Sequence, residues 1–209
     1  MIMFPRILIC LVVGYIFGCF QTGFVYGKLL HGIDVRDYGS GNSGTTNTLR
    51  TLGKRAGYIV FFGDALKAVF AVWLVRYLLF PGDSMLHVFE MVAALGVVLG
   101  HNYPFYMNFK GGKGIAATGG LMFALDFRMA LIAAIVFGII FFTTRYVSVG
   151  SLAITALFPL MILFFFPGEK VMFLLGLVFT AMAWWRHRQN IRRLMNGTEN
   201  RFDKKKHKQ

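Results

Sequence analysis

Residues Gly39 to Arg50 read GSGNSGTTNTLR, a polar run ending in one cation, inside a chain that is 56% hydrophobic. Such a run can hold an anion. Glycines let successive backbone N–H groups converge on one ligand, and Ser40, Ser43 and Thr46 add hydroxyl donors. A helix start at Gly44-Thr45-Thr46 adds the positive end of its dipole. Arg50, further into that helix, offers a planar two-pronged donor suited to phosphate oxygens. A flexible linker is the competing reading of the same glycines and serines.

A second stretch, GHNYPFYMNFKGGKG from Gly100 to Gly114, sets Lys110 and Lys113 around the pair Gly111-Gly112, just before a short apolar run from Ile115. No Gly-Lys is followed by Ser or Thr, so the nucleotide-binding loop is absent. Lysines that snorkel to a membrane surface are the plainer reading. That reading leaves the glycines on both sides of Lys113 unexplained, and a second phosphate cradle is preferred.

The third stretch is WWRHRQNIRRL, Trp184 to Leu194. Trp184 and Trp185 mark a membrane interface, and Arg186, Arg188, Arg192 and Arg193 fit a topology anchor. His187 and Asn190 are three apart, which on a helix puts them on one face. Beside two phosphate cradles, His187 becomes a candidate to position or deprotonate a hydroxyl. Asp64 and Lys67 form an i,i+3 pair inside an apolar segment, where structural support is the first reading and assistance to Arg50 the sharper one. Tyr146 to Ser148 read as a polar turn that could add hydroxyl donors.

The elements that must position these residues are membrane helices. Only 15% of the 209 residues are charged and the mean hydropathy is +0.61, whereas soluble domains run near a quarter charged. Apolar spans are expected at Ile7–Tyr26, Gly57–Leu79, Leu86–Tyr103, Met129–Phe142, Leu152–Phe166 and Val171–Trp185, with Ile115–Leu125 as a seventh, short helix. The first is expected to be an uncleaved transmembrane helix rather than a signal peptide. Seven spans put 27–56, 104–114, 143–151 and 186–209 on one side, where most of the Lys and Arg lie. Those loops are therefore expected to be cytoplasmic and the amino terminus outside. The expected fold is an all-α integral membrane protein, a seven-helix bundle over 1–195 with a basic tail over 196–209, its Lys204–Lys208 run solvated or on anionic headgroups.

Gly14 with Gly18, and Gly23 with Gly27, are read as close-packing positions. Cys10 and Cys19 lie roughly 13 Å apart along one helix, too far for a disulfide. The formal charge of +13 could suggest nucleic acid, but no soluble domain remains to carry it. The histidines are scattered without metal-ligand spacing, so neither a metal nor a cofactor is expected. A transporter is the rival reading, since half-helices aimed at anions also build transport sites; the one-sided polar motifs and the lack of an inverted repeat favour an interfacial enzyme.

Taken in order, GSGNSGTTNTLR, Asp64-x-x-Lys67, Gly100-His-Asn-Tyr-Pro through Phe109-Lys-Gly-Gly-Lys-Gly114, and Arg186-His-Arg-x-Asn-Ile191 closely resemble the bacterial acyl-phosphate:glycerol-3-phosphate acyltransferases over essentially the whole chain. The resemblance implies a fatty acyl phosphate as donor and glycerol 3-phosphate as acceptor, giving lysophosphatidic acid and phosphate at the cytoplasmic face of a bacterial membrane. It implies membrane lipids as surroundings and coupling to an enzyme that makes acyl phosphate. Arg50, Lys113 and His187 are then the expected catalytic residues. Ser40, Gly41, Asn42, Thr46, Asn47, Lys110, Gly111, Gly112, Ser148 and Asn190 are the expected phosphate- and substrate-binding ones. Thr45 stands where the family usually has alanine, and Ala116-Ala117-Thr118 where Val-Ala-Thr is usual; neither change removes a charged or backbone ligand.

Overall fold

The computed structural model describes residues 3–202; the Lys204–Lys208 part of the tail lies outside the described residues. The helices are α1 (Met3–Cys19), α2 (Thr22–His31), α3 (Thr45–Leu52), α4 (Lys54–Leu74), α5 (Leu86–Asn102), α6 (Ile115–Leu125), α7 (Phe127–Thr144), α8 (Val147–Phe165), α9 (Lys170–Arg186) and α10 (Arg188–Met195). A π turn, Val75–Leu79, extends α4, and short 3-10 turns cover Val35–Asp37 and Phe105–Met107. Five stretches are long and apolar enough to cross a membrane: Met3–His31, Lys54–Leu79, Leu86–Met107, Phe127–Thr144 and Val147–Phe165. The other two expected spans are apolar helices of shorter length, 11 residues for α6 and 17 for α9.

The first span corrects the expectation of one unbroken helix from Ile7 to Tyr26. It breaks at Phe20-Gln21 between α1 and α2. The freed carbonyls find buried donors: the Gln21 amide donates to Gly18 (3.2 Å), and Lys67 Nζ donates to Gly18 (3.2 Å) and Phe20 (2.8 Å). A helix break inside an apolar span survives only where protein groups replace the lost partners. The start of α8 moves as well. Ser148 lies in its first turn rather than in a polar turn between helices.

Close approach of α1 and α5 organises the bundle. A Cβ at Gly14 or Gly18 would fall on the carbonyl oxygens of Ala93 and Val97, and one at Gly96 or Gly100 on those of Leu11 and Tyr15. Two small-residue stripes thus face each other, of which the reading of the sequence named only the α1 stripe. Gly23 and Gly27 also serve packing, admitting Ser43 and Val35 against α2. On the other side, α4 meets α6 through Gly120 against the Ala65 carbonyl, and Phe158 of α8 meets Phe179 of α9 edge-on at 5.7 Å. The shared core includes Val72, Met91, Leu121, Met122 and Met129. Asp126 accepts from the Arg128 N–H at 2.9 Å and so caps α7 after a sharp reversal from α6.

Gly18→Leu tests this contact, because its side chain must displace the Val97 backbone. It is expected to lower the thermal midpoint in detergent by an amount equivalent to about 2 kcal/mol or more. Gly138→Ala, at a site with open space, should leave the midpoint unchanged or raise it slightly.

Candidate active site

The Gly39–Gly44 loop is built around Asn47, a buried residue of α3. Its amide donates to the carbonyls of Val35 (2.7 Å), Tyr38 (3.0 Å) and Asn42 (2.9 Å), and its Oδ1 accepts from the Ser40 N–H at 2.8 Å. Asn47 therefore holds the loop from within. Gly39 and Gly41 take left-handed φ values of 61° and 70°, and a Cβ at Gly39 would strike Asn47 Oδ1. Asn42 Oδ1 accepts from the Gly44 N–H at 2.9 Å, which sets the start of α3. Helix geometry leaves the next N–H groups, on Thr45, Thr46 and Asn47, without intrahelical acceptors.

Ser43 departs from its expected role as a ligand donor. Its hydroxyl is buried and donates to Gln21 Oε1 at 2.9 Å, tying the loop to the break between α1 and α2. Ser40 and Gly41 are exposed, and Asn42 and Thr46 are half-buried. The Thr45 hydroxyl is buried without a protein partner.

In the second loop the backbone works differently from a phosphate cradle. The Gly112 N–H donates to the His101 carbonyl (2.9 Å) and the Gly111 N–H to that of Asn102 (3.1 Å). Their own carbonyls accept from Arg186, at 3.1 Å for Gly111 and 2.7 Å for Gly112. The peptide groups of Gly111 and Gly112 are thus engaged on both sides, and the pair serves to present Lys113. No side chain fits at either glycine: a Cβ would fall on the His101 carbonyl at Gly111 and on the His101 ring at Gly112. Ahead of the pair, Asn108 and Phe109 both hold left-handed φ values, 53° and 57°, a strain of about 1–3 kcal/mol each that tightens the turn. Lys110 sits exposed on the outside of this loop, with its carbonyl accepting from Arg36 at 3.1 Å. The Asn102 amide is buried near Gly114 with no protein partner for either atom.

The third stretch closes over both loops. His187 is the junction between α9 and α10, so it and Asn190 come from a bend rather than from one continuous helix face. His187 Nδ1 lies 2.7 Å from the Ala183 carbonyl, which can only accept; Nδ1 therefore carries the proton and Nε2 the free lone pair. Burial, and then the Lys113 charge, push the imidazole down to about 4. Lys113 Nζ donates to Asn190 Oδ1 at 2.6 Å, and its amine is pushed down to about 8 by burial first. Burial also lowers the Arg50 guanidinium from its ordinary value.

The structure adds a residue that the motifs did not single out. Glu199 accepts from Asn190 Nδ2 (2.6 Å), Ser148 Oγ (2.9 Å) and Arg193 Nε (2.7 Å). Burial raises its carboxyl, but these three donors outweigh that and hold it below the usual range. Arg50 donates to the Asn200 carbonyl at 3.4 Å and lies over the Phe202 ring. The sequence signal was that Glu199 is one of two carboxylates, with Asp203, in a segment from Arg186 onward that is rich in Lys and Arg.

The loops meet at one end of the bundle, with Asn42 Nδ2 and the Gly111 carbonyl 3.5 Å apart. Arg50, Lys113, His187, Asn190 and Ser148 converge there. Asp64 and Lys67 do not join Arg50; Lys67 bonds instead to Asp64 (3.0 Å), His101 (2.9 Å) and the α1 carbonyls. A glycine-braced lysine, an arginine at a short helix and a neutral histidine thus lie together at this end of the bundle, a cationic grouping that can attract anions.

Comparison with known proteins agrees with that chemistry. The family model described as glycerol-3-phosphate acyltransferase matches residues 8–197. The chain belongs to that family. A glycerol-3-phosphate acyltransferase of Alkaliphilus metalliredigens is 40% identical, covering 95% of this chain and 97% of its own. One of Clostridioides difficile is 39% identical with the same coverage. Among solved structures, the glycerol 3-phosphate form of the integral membrane glycerol 3-phosphate acyltransferase PlsY superposes with a TM-score of 0.85 at 38% identity, covering 94% of this chain and 96% of that one. Its lysophosphatidic acid form gives 0.81 at 36%, covering 94% and 95%. The chain is an acyltransferase of this family and a multi-pass membrane protein.

Asn47→Asp tests the first loop. It replaces donors to three carbonyls by a buried carboxylate facing them. Thermal unfolding should show a loss of more than about 2 kcal/mol, whereas Ser40→Ala, at an exposed residue that gives up one 3.2 Å bond to Asn47 Oδ1 and keeps its backbone N–H bond to the same atom, should cost less than about 1 kcal/mol.

Proposed function

We propose that the protein transfers a fatty acyl group from an acyl phosphate to the 1-hydroxyl of glycerol 3-phosphate, releasing lysophosphatidic acid and inorganic phosphate. The observation that carries this reading is the convergence of Arg50 and the glycine-braced Lys113 beside a neutral His187 whose Nε2 is free. Two phosphate-bearing substrates match a site with this excess of cations. Arg50 and Lys113 neutralise the donor phosphate, which makes it a better leaving group. Ser40, Gly41, Asn42, Thr46 and the N–H groups at the start of α3 supply its remaining hydrogen bonds, with Lys110 on the rim. Ser148, Asn190 and His187 orient the acceptor, while Asn47, Gly111 and Gly112 keep the two loops in shape.

The glycerol oxygen forms the new ester bond to the acyl carbon as the bond from that carbon to the phosphate oxygen breaks. The hydroxyl proton goes to His187 Nε2 or to an oxygen of the departing phosphate. Since the donor is already activated, positioning and charge stabilisation supply most of the acceleration. The acyl chain lies in the apolar furrow of about 310 Å³ lined by Leu11, Val12, Tyr15, Leu99, Tyr103 and Phe109. Tyr103, at one end, stacks under Arg186, which in turn holds the glycine loop.

The same reading makes α6 and α9 short spans, giving seven crossings in one catalytic unit over 1–195 with the basic tail 196–209 beyond it. The site then faces the cytoplasm of a bacterium across its inner membrane, with the amino terminus outside. Supporting this, Arg6 of α1 pairs with Asp83 and Arg128 of α7 with Asp126 at the helix ends assigned to the outer side, whereas Arg50, Lys113, Arg186 and Arg193 lie together at the opposite end. A partner enzyme that makes acyl phosphate would supply the donor.

The first measurement is phosphate release and lysophosphatidic acid formation by the purified protein in lipid, given palmitoyl phosphate and glycerol 3-phosphate. Arg50→Ala and Lys113→Ala should each cost about 10²-fold or more in kcat/KM. Product from acyl carrier protein or acyl coenzyme A but not from acyl phosphate would overturn the choice of donor. The pH profile is a second test. Lys113 must be charged and is held at about 8, so kcat/KM of the free enzyme should fall as pH rises through about 8. His187 is held at about 4, so it stays neutral across the working range and its acid limb lies near 4, distinct from the substrate phosphate titration at about 6.

A further inference from the structure

His101 ends α5 directly beneath the glycine loop and is 3% exposed. Its carbonyl accepts from the Gly112 N–H at 2.9 Å and from Gln21 Nε2 at 3.0 Å. Its ring also touches Gly112: a Cβ there would fall on Nε2 and come within 2.8 Å of Cδ2. The opposite edge of the ring meets Lys67, whose Nζ lies 2.9 Å from Nδ1. An ammonium only donates, so Nδ1 presents its lone pair and the proton sits on Nε2, the edge toward the loop. Lys67 is fixed by Asp64 at 3.0 Å and by the Phe20 carbonyl at 2.8 Å, and Asp64 accepts from Thr22 Oγ1 at 3.1 Å. A buried polar chain thus runs from α2 through α4 and α5 to Gly112, and no step of the acyl transfer uses it.

We propose that His101 is a positioning residue: its Nε2 edge, oriented by Lys67, seats Gly112 and so holds Lys113 in its buried place against Asn190. The catalytic consequence rests on the acyl-transfer reading above; the positioning itself does not. Lys113 follows Gly112 directly, so a shift of that glycine carries the lysine with it. The charged and titratable groups facing Lys113 are Arg50 from α3, Arg186 from α9, His187 at the junction, Arg193 from α10, and Glu199 after it. Burial lowers the amine most, Glu199 opposes that, and the three guanidiniums lower it further. A loop that swings outward returns the amine to water and toward the ordinary lysine value.

Two substitutions separate the two edges of the ring. His101→Asn keeps an acceptor near Nδ1 for Lys67 but removes the edge beneath Gly112. His101→Gln keeps an N–H near the Nε2 position but loses the acceptor for Lys67. For His101→Asn in lipid nanodiscs, the alkaline limb of kcat/KM should move up from about 8 by roughly one unit, with about a tenfold loss at neutral pH. Deuterium uptake by the 103–114 segment should speed up about tenfold or more. The glutamine variant should show both effects at smaller size, and it carries the test alone if the asparagine variant does not fold. A merely structural residue would lower the thermal midpoint and the folded fraction while the alkaline limb stayed at about 8 and loop exchange stayed as in the parent, and that result overturns the proposal. If the parent makes no product from acyl phosphate, the acyl-transfer reading fails, and the exchange comparison by itself decides whether His101 seats the loop.

Discussion

Two helices, α1 and α5, end inside the protein, and their last carbonyls must be given donors before anything else can be built there. An unpaired buried carbonyl costs about 1–3 kcal/mol, and water in the membrane interior cannot relieve it. Lys67 and Gln21 serve the end of α1, while Gln21, Gly111 and Gly112 serve the end of α5. The two helix ends lie together because α1 and α5 meet through glycines, backbone against backbone. Their carbonyls can therefore share donors, and Gln21 spans Gly18, Gly100 and His101 with one amide. The glycine loop owes its shape to the same need, since two of its N–H groups are committed to α5 and only what lies beyond them reaches the site.

Electrostatics works in the opposite sense. Arg50, Lys113, Arg186 and Arg193 are crowded together with one carboxylate, Glu199, among them. Cations that repel one another weaken the folded state, and Lys113 holds its proton less firmly than an ordinary lysine, through burial first and the neighbouring guanidiniums after it. Glu199 offsets part of the repulsion and anchors Ser148, Asn190 and Arg193 at once. The remaining positive field makes this end of the bundle attractive to anions. Arg186 stands somewhat apart from this, because the Gly111 and Gly112 carbonyls occupy its guanidinium.

Much of this was legible in the sequence, for identifiable reasons. Apolar runs against a polar background gave the helices, and Ile115–Leu125 was located to the residue because a glycine loop and Asp126 bound it sharply. The three polar stretches were legible as a group because each joins cations to glycine, hydroxyl or amide side chains in a break between apolar runs. What stayed hidden was the direction in which each polar group turns. Ser43 and Asn47 have the same side-chain chemistry as ligand donors, yet both face inward to hold their loop. Gly111 and Gly112 resembled a cradle, but their N–H groups answer α5. The break at Phe20-Gln21 was invisible because hydropathy does not report a backbone whose partners come from Lys67, many residues away. Glu199 escaped for a related reason: its meaning depends on Ser148 and Asn190 meeting it in space.

The placement of the polar groups also bears on why this architecture suits transfer rather than transport. A transport site needs ligands near the membrane midplane with access from both sides in turn. Here the buried Asp64–Lys67 pair inside α4 is 4% exposed or less and is saturated by Thr22, His101 and the α1 carbonyls, so it has no donor left for a passing anion. Among the described residues, the buried side-chain donors without a protein partner are the Thr45 hydroxyl in α3 and the Asn102 amide beside the glycine loop. An apolar furrow approaches the loop end of the bundle from the lipid side, between Leu11 of α1 and Leu99 of α5, and water approaches it past the exposed Ser40 and Gly41. One end of the bundle is therefore open both to an apolar furrow and past exposed polar residues, which suits transfer at a single face better than passage from one face to the other.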